Sequence, residues 1–288
     1  MTEPGNELPP ENDGGLQRAV RLLLLLSRVD FSDEQKRLIS EELREFPAWR
    51  LFAGLAVRHG VAALVWQNIS DLGLAGQVPE TERTLLDGLR FKSIARVSWI
   101  TGVAAAVTDL LDREGIKVVL LKGLALEHTV YGARGLRQMS DADILVAPSD
   151  ALRARDILIA AGFESMPLKS PLYRHIILDL GNHLPELHRG GISVDLHYRL
   201  FGPEGEEMVE RAIRDSVVIR GAGREAGFRR EVRVGREVIR EPGANPGPTG
   251  EAGTKQEAGQ EAGSSGTGSG TYRVLPPVTA FLALVSHI

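Results

Sequence analysis

The 288-residue sequence contains no cysteine, so a disulfide framework, a thiolate metal site and a cysteine nucleophile are all excluded. It has no excess of basic residues either, because its formal net charge is −4, and it therefore carries no strong nucleic-acid-binding signal. The leucine run at residues 22–26 is far too short to span a bilayer, and the residues before it are acidic and proline-rich, unlike a signal peptide. We therefore expect a cytoplasmic protein with no membrane contact.

The chain is long enough for one large or two modest domains, and its hydrophobic share of 43% is ordinary for a globular protein. Composition and patterning divide it into five expected parts. These are a disordered leader (1–15), a helical region (16–114), a core of strands and helices (115–220), a low-complexity and mostly disordered insertion (221–271), and the start of a further helical region that looks truncated (272–288). The oligomeric state cannot be read from these features.

The helical region carries several local signals. Ser32 and Gln35 have the spacing of a capping box, which predicts a helix over Asp33–Glu45. Gly60 predicts a break within the helical pattern of residues 49–69. A long helix is predicted over residues 80–114, and Gly115 has the residue type that commonly follows a helix end.

Three further side chains are assigned structural roles. Trp66 and Trp99 lie in helical patterns, and we expect both to be core residues rather than parts of a binding surface. Ser149 is expected to cap a helix over residues 150–161.

The most informative stretch runs from Lys117 to Val146. Its first apolar run, residues 118–121, predicts a buried strand that stops at Lys122-Gly123 and is followed by a helical pattern. A second apolar run, residues 144–146, follows Ser140-Asp141-Ala142-Asp143. Because residues two apart on a strand point to the same side, Asp141 and Asp143 are expected to face one spot.

Two carboxylates that face one spot repel each other by about 3 kcal/mol at roughly 6 Å and an effective dielectric of about 20. A divalent cation between them would relieve that repulsion, and Mg²⁺ prefers such oxygen ligands together with water and substrate phosphates. The alternative is that Asp141 and Asp143 are solvated turn residues at the start of a strand, where serine and aspartate are common.

The order of these motifs resembles that of a known family. Leu121-Lys122-Gly123, Tyr131, Gly135-Leu136-Arg137 and residues 140–146 (SDADILV) are similar to the motifs of uncharacterised bacterial nucleotidyltransferases in the DNA polymerase β-like superfamily. The resemblance extends from Phe46 to the C-terminus, apart from one insertion. It implies an α+β fold in which an N-terminal helical segment precedes a mixed β-sheet flanked by helices.

The resemblance also implies a Mg²⁺-dependent enzyme that moves a nucleoside monophosphate from an NTP, such as ATP, to a hydroxyl acceptor. In that reading two Mg²⁺ ions are held by the catalytic carboxylates, which are Asp141, Asp143 and Asp195. The nucleotide would contact Lys122, Gly123, Arg137 and Ser140.

The third carboxylate is placed by a predicted hairpin over residues 183–200. Alternation along its second strand puts Asp195 and His197 on one face, and the resemblance implies that His197 orients Asp195 or the acceptor. Glu186 is the alternative ligand, and a solvent-facing Asp195 is the structural alternative.

Two other functions stay open. The superfamily usually has Gly-Ser where this chain has Gly123-Leu124, which favours a degenerate member that binds a nucleotide or a partner without catalysis. A metal-dependent phosphohydrolase that uses His183, His188 and His197 is the third hypothesis, although no helical HExxH arrangement supports zinc.

Overall fold

The computed structural model describes residues 13–165, 170–200, 206–220, 231–234, 237–240 and 271–276. The helices in these ranges are α1 (Asp13–Leu26), α2 (Asp33–Leu43), α3 (Trp49–Arg58), α4 (Ala62–Asp71), α5 (Glu80–Arg113), α6 (Lys122–Thr129), α7 (Ala151–Ala160), α8 (Pro171–Leu180) and α9 (Glu206–Arg214). The strands are β1 (Val119–Leu120), β2 (Asp141–Leu145), β3 (Glu164–Ser165), β4 (Leu187–Arg189), β5 (Ile192–His197), β6 (Val217–Arg220), β7 (Glu231–Val234), β8 (Glu237–Arg240) and β9 (Thr271–Val274).

The strands form one mixed sheet with the order β3-β4-β5-β2-β1-β9-β6-β7-β8. β1 pairs antiparallel with β2, where Val119 lies opposite Leu145, and parallel with β9, where Leu120 lies opposite Val274. β6 pairs antiparallel with both β7 and β9. The α+β fold predicted from the sequence is therefore confirmed.

The chain forms two compact units. The first is drawn from the described parts of 1–103, 123–143 and 188–194, and the second from the described parts of 104–122, 144–187 and 195–288. The core of the first unit is helical and contains Phe46, Trp49 and Phe52, whose rings pack edge to face. The core of the second unit includes Val119, Leu145 and residues of α9.

Local helix signals behave largely as predicted. The capping box of Ser32 and Gln35 is present at the start of α2. Gly60 and Gly115, at φ +67° and +77°, occupy the left-handed region that favours glycine where α3 and α5 end. The Ser149 prediction is wrong, because a 3₁₀ turn over Pro148–Asp150 leads into α7 and no side chain caps it.

The two tryptophans of the helical region differ. Trp66 is buried as predicted, and its Nε1 donates a hydrogen bond of 2.8 Å to Asp87 Oδ1. The prediction for Trp99 is wrong, because its side chain on α5 is 57% exposed. By length and composition α5 is also the one helix in the described ranges that could cross a bilayer, which is weak evidence because core helices pass the same criteria.

β7 and β8 pair antiparallel at one end of the sheet, inside the stretch that was expected to be a mostly disordered insertion. α1 begins at Asp13, inside the stretch expected to be a leader. Three predicted parts lie outside the described residues. They are the rest of that leader (1–12), most of the low-complexity insertion, and residues 277–288 of the further helical region.

Candidate functional site

The turn that follows β1 has an unusual backbone. Lys122 has φ +40°, a left-handed conformation that a lysine adopts only with strain. Its Nζ lies 3.5 Å from His197 Nε2 at the end of β5. Lys122 has no acceptor atom on its side chain, so in this contact the ammonium donates and the imidazole nitrogen accepts. The residue predicted to contact phosphate is thus held against the β5 histidine.

The side chains of another segment lie close to the backbone of Gly123. A Cβ atom at this position would lie 2.6 Å from Arg137 Nη1 and 2.8 Å from Met139 Sδ. A larger residue here would have to displace the ends of these two flexible side chains, so the loop that carries Arg137 packs directly against the first turn of α6. This contact places a guanidinium beside the backbone where the nucleotide phosphates are predicted to bind.

A group of three potential metal ligands lies on two neighbouring strands of the sheet. Asp143 on β2 and Asp195 and His197 on β5 each offer one ligand atom, and these atoms all lie within 4.8 Å of one another. Asp143 and His197 are buried, with exposed fractions of 5% and 1%. The structure therefore brings two of the three predicted carboxylates together and adds the histidine two residues after Asp195.

Asp141 is not a member of this group. It is the first residue of β2, it is half-buried, and its Oδ1 accepts a hydrogen bond of 3.0 Å from the Ser140 hydroxyl. The assignment of Asp141 as a metal ligand and of Ser140 as a nucleotide contact stays a prediction.

Two carboxylates and one imidazole can hold a divalent cation. Carboxylate oxygens suit Mg²⁺, Ca²⁺ and Mn²⁺, whereas an imidazole nitrogen also suits the transition metals. From the sequence, a metal-ligating role for His197 is predicted only under the phosphohydrolase hypothesis, and the nucleotidyltransferase hypothesis gives it an orienting role. The available signal was its position on the same face of the strand as Asp195.

The buried carboxylate of Glu127, which no sequence pattern marks, holds the loop between α6 and β2. Glu127 on α6 is 1% exposed, and its Oε1 accepts a hydrogen bond of 2.5 Å from the backbone N–H of Gly135. Burial raises the pKa of Glu127, and the backbone N–H groups of Gly135 and Arg137 and the charges of Arg134 and Arg137 oppose that rise. Glu127 thus ties α6 to the loop that carries Arg137.

A neighbouring residue of α6 is held in its neutral form. Burial lowers the pKa of His128 to about 4, so its imidazole carries no charge near neutral pH. His128 therefore contributes no positive charge near α6, unlike Lys122, Arg134 and Arg137.

Comparison with known proteins assigns the chain to a family. Residues 47–226 match the family model described as "Uncharacterised nucleotidyltransferase". The comparisons with curated proteins and with solved structures gave no match. The matched range includes α6, β2 and β5, and with them every residue of the metal-ligand group. Because the match covers more than half of the 288 residues, the chain belongs to this uncharacterised nucleotidyltransferase family.

Proposed function

We propose that the protein transfers a nucleoside monophosphate from a nucleoside triphosphate to a hydroxyl group of a small molecule or a protein, and releases pyrophosphate. The observation that carries this proposal is the grouping of Asp143, Asp195 and His197, together with the contact of Lys122 with His197. Family membership supports the reaction class.

The ligand group fits a divalent cation, since three ligand atoms of suitable chemistry lie within 4.8 Å of one another. We propose Mg²⁺, because it takes few protein ligands and completes its coordination with water and substrate phosphates. Asp141 would contribute to a second cation in this proposal. When bound, the cations supply charge stabilisation at the attacking and leaving oxygens.

In the proposed step the acceptor oxygen forms a bond to the α-phosphorus of the nucleotide. The bond between that phosphorus and the oxygen that bridges to the β-phosphate breaks, and pyrophosphate leaves with the electron pair. The hydroxyl proton passes to the carboxylate of Asp195. Lys122 and Arg137 would balance phosphate charge, and the first N–H groups of α6 would contact a phosphate oxygen.

The test uses the full chain with Mg²⁺ and each of the four common NTPs in calorimetry, followed by α-³²P-labelled NTP with a cell extract. We expect Asp143→Asn and Asp195→Asn to weaken Mg·NTP binding at least tenfold and to abolish labelling of an acceptor. Asp215→Asn is the matched control, since Asp215 is exposed and pairs with Arg211 on α9. Tight Mg·NTP binding that is unchanged in both site variants would refute the assigned metal role.

A second function is favoured by one observation. Leu124 takes the position where the superfamily usually has a phosphate-binding serine, and it is buried in the first turn of α6 with an exposed fraction of 1%. It therefore supplies no hydroxyl to a nucleotide, which favours binding without transfer. In the experiment above this alternative predicts Asp143-dependent Mg·NTP binding with no labelled acceptor and no pyrophosphate release.

A further inference from the structure

One side of the long helix α5 contacts the backbone at three separate points of the chain. Ser93 Oγ donates a hydrogen bond of 2.8 Å to the carbonyl oxygen of Gly135. One helical turn later, Arg96 Nη2 donates 2.8 Å to the carbonyl oxygen of Ser140, and Arg96 Nη1 donates 3.0 Å to that of Gly191. Residues three apart on a helix lie on one side, so these bonds form a continuous line of attachment.

The two carbonyl groups held by Arg96 lie at equivalent positions, each just before a strand. Ser140 immediately precedes β2, and Gly191 immediately precedes β5. These strands are neighbours in the sheet. They carry the metal-ligand group, with Asp143 three residues after Ser140 and Asp195 four residues after Gly191. One guanidinium therefore holds the start of both strands that supply ligands.

Arginine is the side chain that suits this task. Its guanidinium is planar and presents several donors in a fixed fork, so two acceptors on different segments are held at a set separation. A lysine at the same position has one flexible ammonium and cannot reproduce that constraint. Trp99, the next residue along this side of α5, has its ring close to Gly190 in the β4–β5 turn, since a Cβ atom placed there would lie 3.5 Å from Cζ2.

We propose that Arg96 is a positioning residue of the metal centre, which sets the spacing of the strands that carry Asp143 and Asp195. This inference rests on the proposed function, since it requires that the group binds a cation. Arg96 touches neither ligand directly and acts through the backbone of Ser140 and Gly191. Groups that hydrogen-bond metal ligands directly typically change metal affinity by 10- to 100-fold when they are removed, and we expect the lower end of that range for a group that acts through the backbone.

A positioning role and simple electrostatics predict opposite changes in cation affinity when Arg96 is removed. Removing a positive charge near two carboxylates should strengthen cation binding, because less repulsion acts on the incoming ion. If Arg96 acts by positioning, its removal weakens cation binding instead. The direction of the change therefore separates the two roles without any measurement of activity.

The experiment titrates the full chain with Mn²⁺, as a paramagnetic substitute for Mg²⁺, and follows binding by calorimetry and electron paramagnetic resonance. We expect Arg96→Met to weaken Mn²⁺ binding at least tenfold and Arg96→Lys to weaken it about threefold. Arg83→Met is the matched control, because it removes the same charge from the same helix. Arg83 contacts Glu80 rather than the strands. Its Mn²⁺ affinity should stay within twofold of that of the wild type.

Thermal unfolding by circular dichroism is measured in parallel. Arg96 is exposed, so the unfolding midpoint of Arg96→Met should stay close to that of the wild type while Mn²⁺ affinity falls. Unchanged or tighter Mn²⁺ binding by Arg96→Met overturns the inference, and if that variant does not fold, Arg96→Lys decides in the same way. A wild-type chain that binds no Mn²⁺, alone or with a non-hydrolysable NTP, refutes the proposed function itself and this inference with it.

Discussion

Replacement of the buried Glu127 tests how the loop beside α6 is held in place. Glu127 is 1% exposed and accepts a 2.5 Å hydrogen bond from Gly135 N–H. In Glu127→Ala that N–H loses its acceptor, and an unsatisfied buried donor costs about 1–3 kcal/mol of unfolding free energy. For a urea dependence of about 2 kcal/mol per molar, the unfolding midpoint should fall by about 0.5–1.5 M.

Glu127→Gln separates the hydrogen bond from the charge. The amide oxygen still accepts from Gly135, so we expect its unfolding free energy to stay within about 1 kcal/mol of the wild-type value near neutral pH. The two proteins should differ in pH dependence. Because burial raises the pKa of Glu127 above its ordinary value of 4.5, the unfolded state loses its proton first as pH rises. Wild-type stability therefore falls as pH rises from 4.5 to the folded pKa, and that part of the fall is missing in Glu127→Gln.

The assay is urea unfolding followed by circular dichroism at a series of pH values between 4 and 8. Glu41→Ala and Glu41→Gln are the matched controls, because Glu41 is an exposed glutamate on another helix, α2. Equal destabilisation by Glu127→Ala and Glu41→Ala would show that the Gly135 bond does not contribute to stability. Identical pH profiles for the wild type and Glu127→Gln would refute the reasoning about burial.

Two further predictions concern charges near the site. Lys122→Met should strengthen Mn²⁺ binding a few-fold, because a positive charge is removed from beside His197. The same variant should weaken Mg·NTP binding about tenfold, because the nucleotide phosphate loses a positively charged partner. Calorimetry that finds both affinities changing in the same direction would contradict this. His128 has its pKa lowered to about 4, so wild-type stability should fall by about 3 kcal/mol as pH drops from 6.5 to 4, and His128→Gln should lack that fall. A drop of equal size in the two proteins, measured by urea unfolding, would show that His128 is not the group responsible.

Short-range features were readable from the sequence because a few neighbouring residues determine them. The capping box of Ser32 and Gln35 depends on side chains and backbone groups within one helical turn. The strand, turn and helix around Lys122 follow from a short apolar run and the helical pattern after it. The order of the LKG and SDADILV motifs was sufficient to indicate the family.

Long-range contacts were decided only by the tertiary structure. Arg96 bonds to partners 44 and 95 residues away, and no local pattern marks an exposed helical arginine as a strand-positioning group. Tryptophan is a residue type expected in a core, yet the side chain of Trp99 on α5 is 57% exposed, because burial depends on which elements pack around a helix. Asp141 and Asp143 lie two residues apart, so the alternation along the strand predicts the same side for both and does not distinguish them. Only the pairing of β2 beside β5 selects Asp143, with Asp195 and His197, for the ligand group.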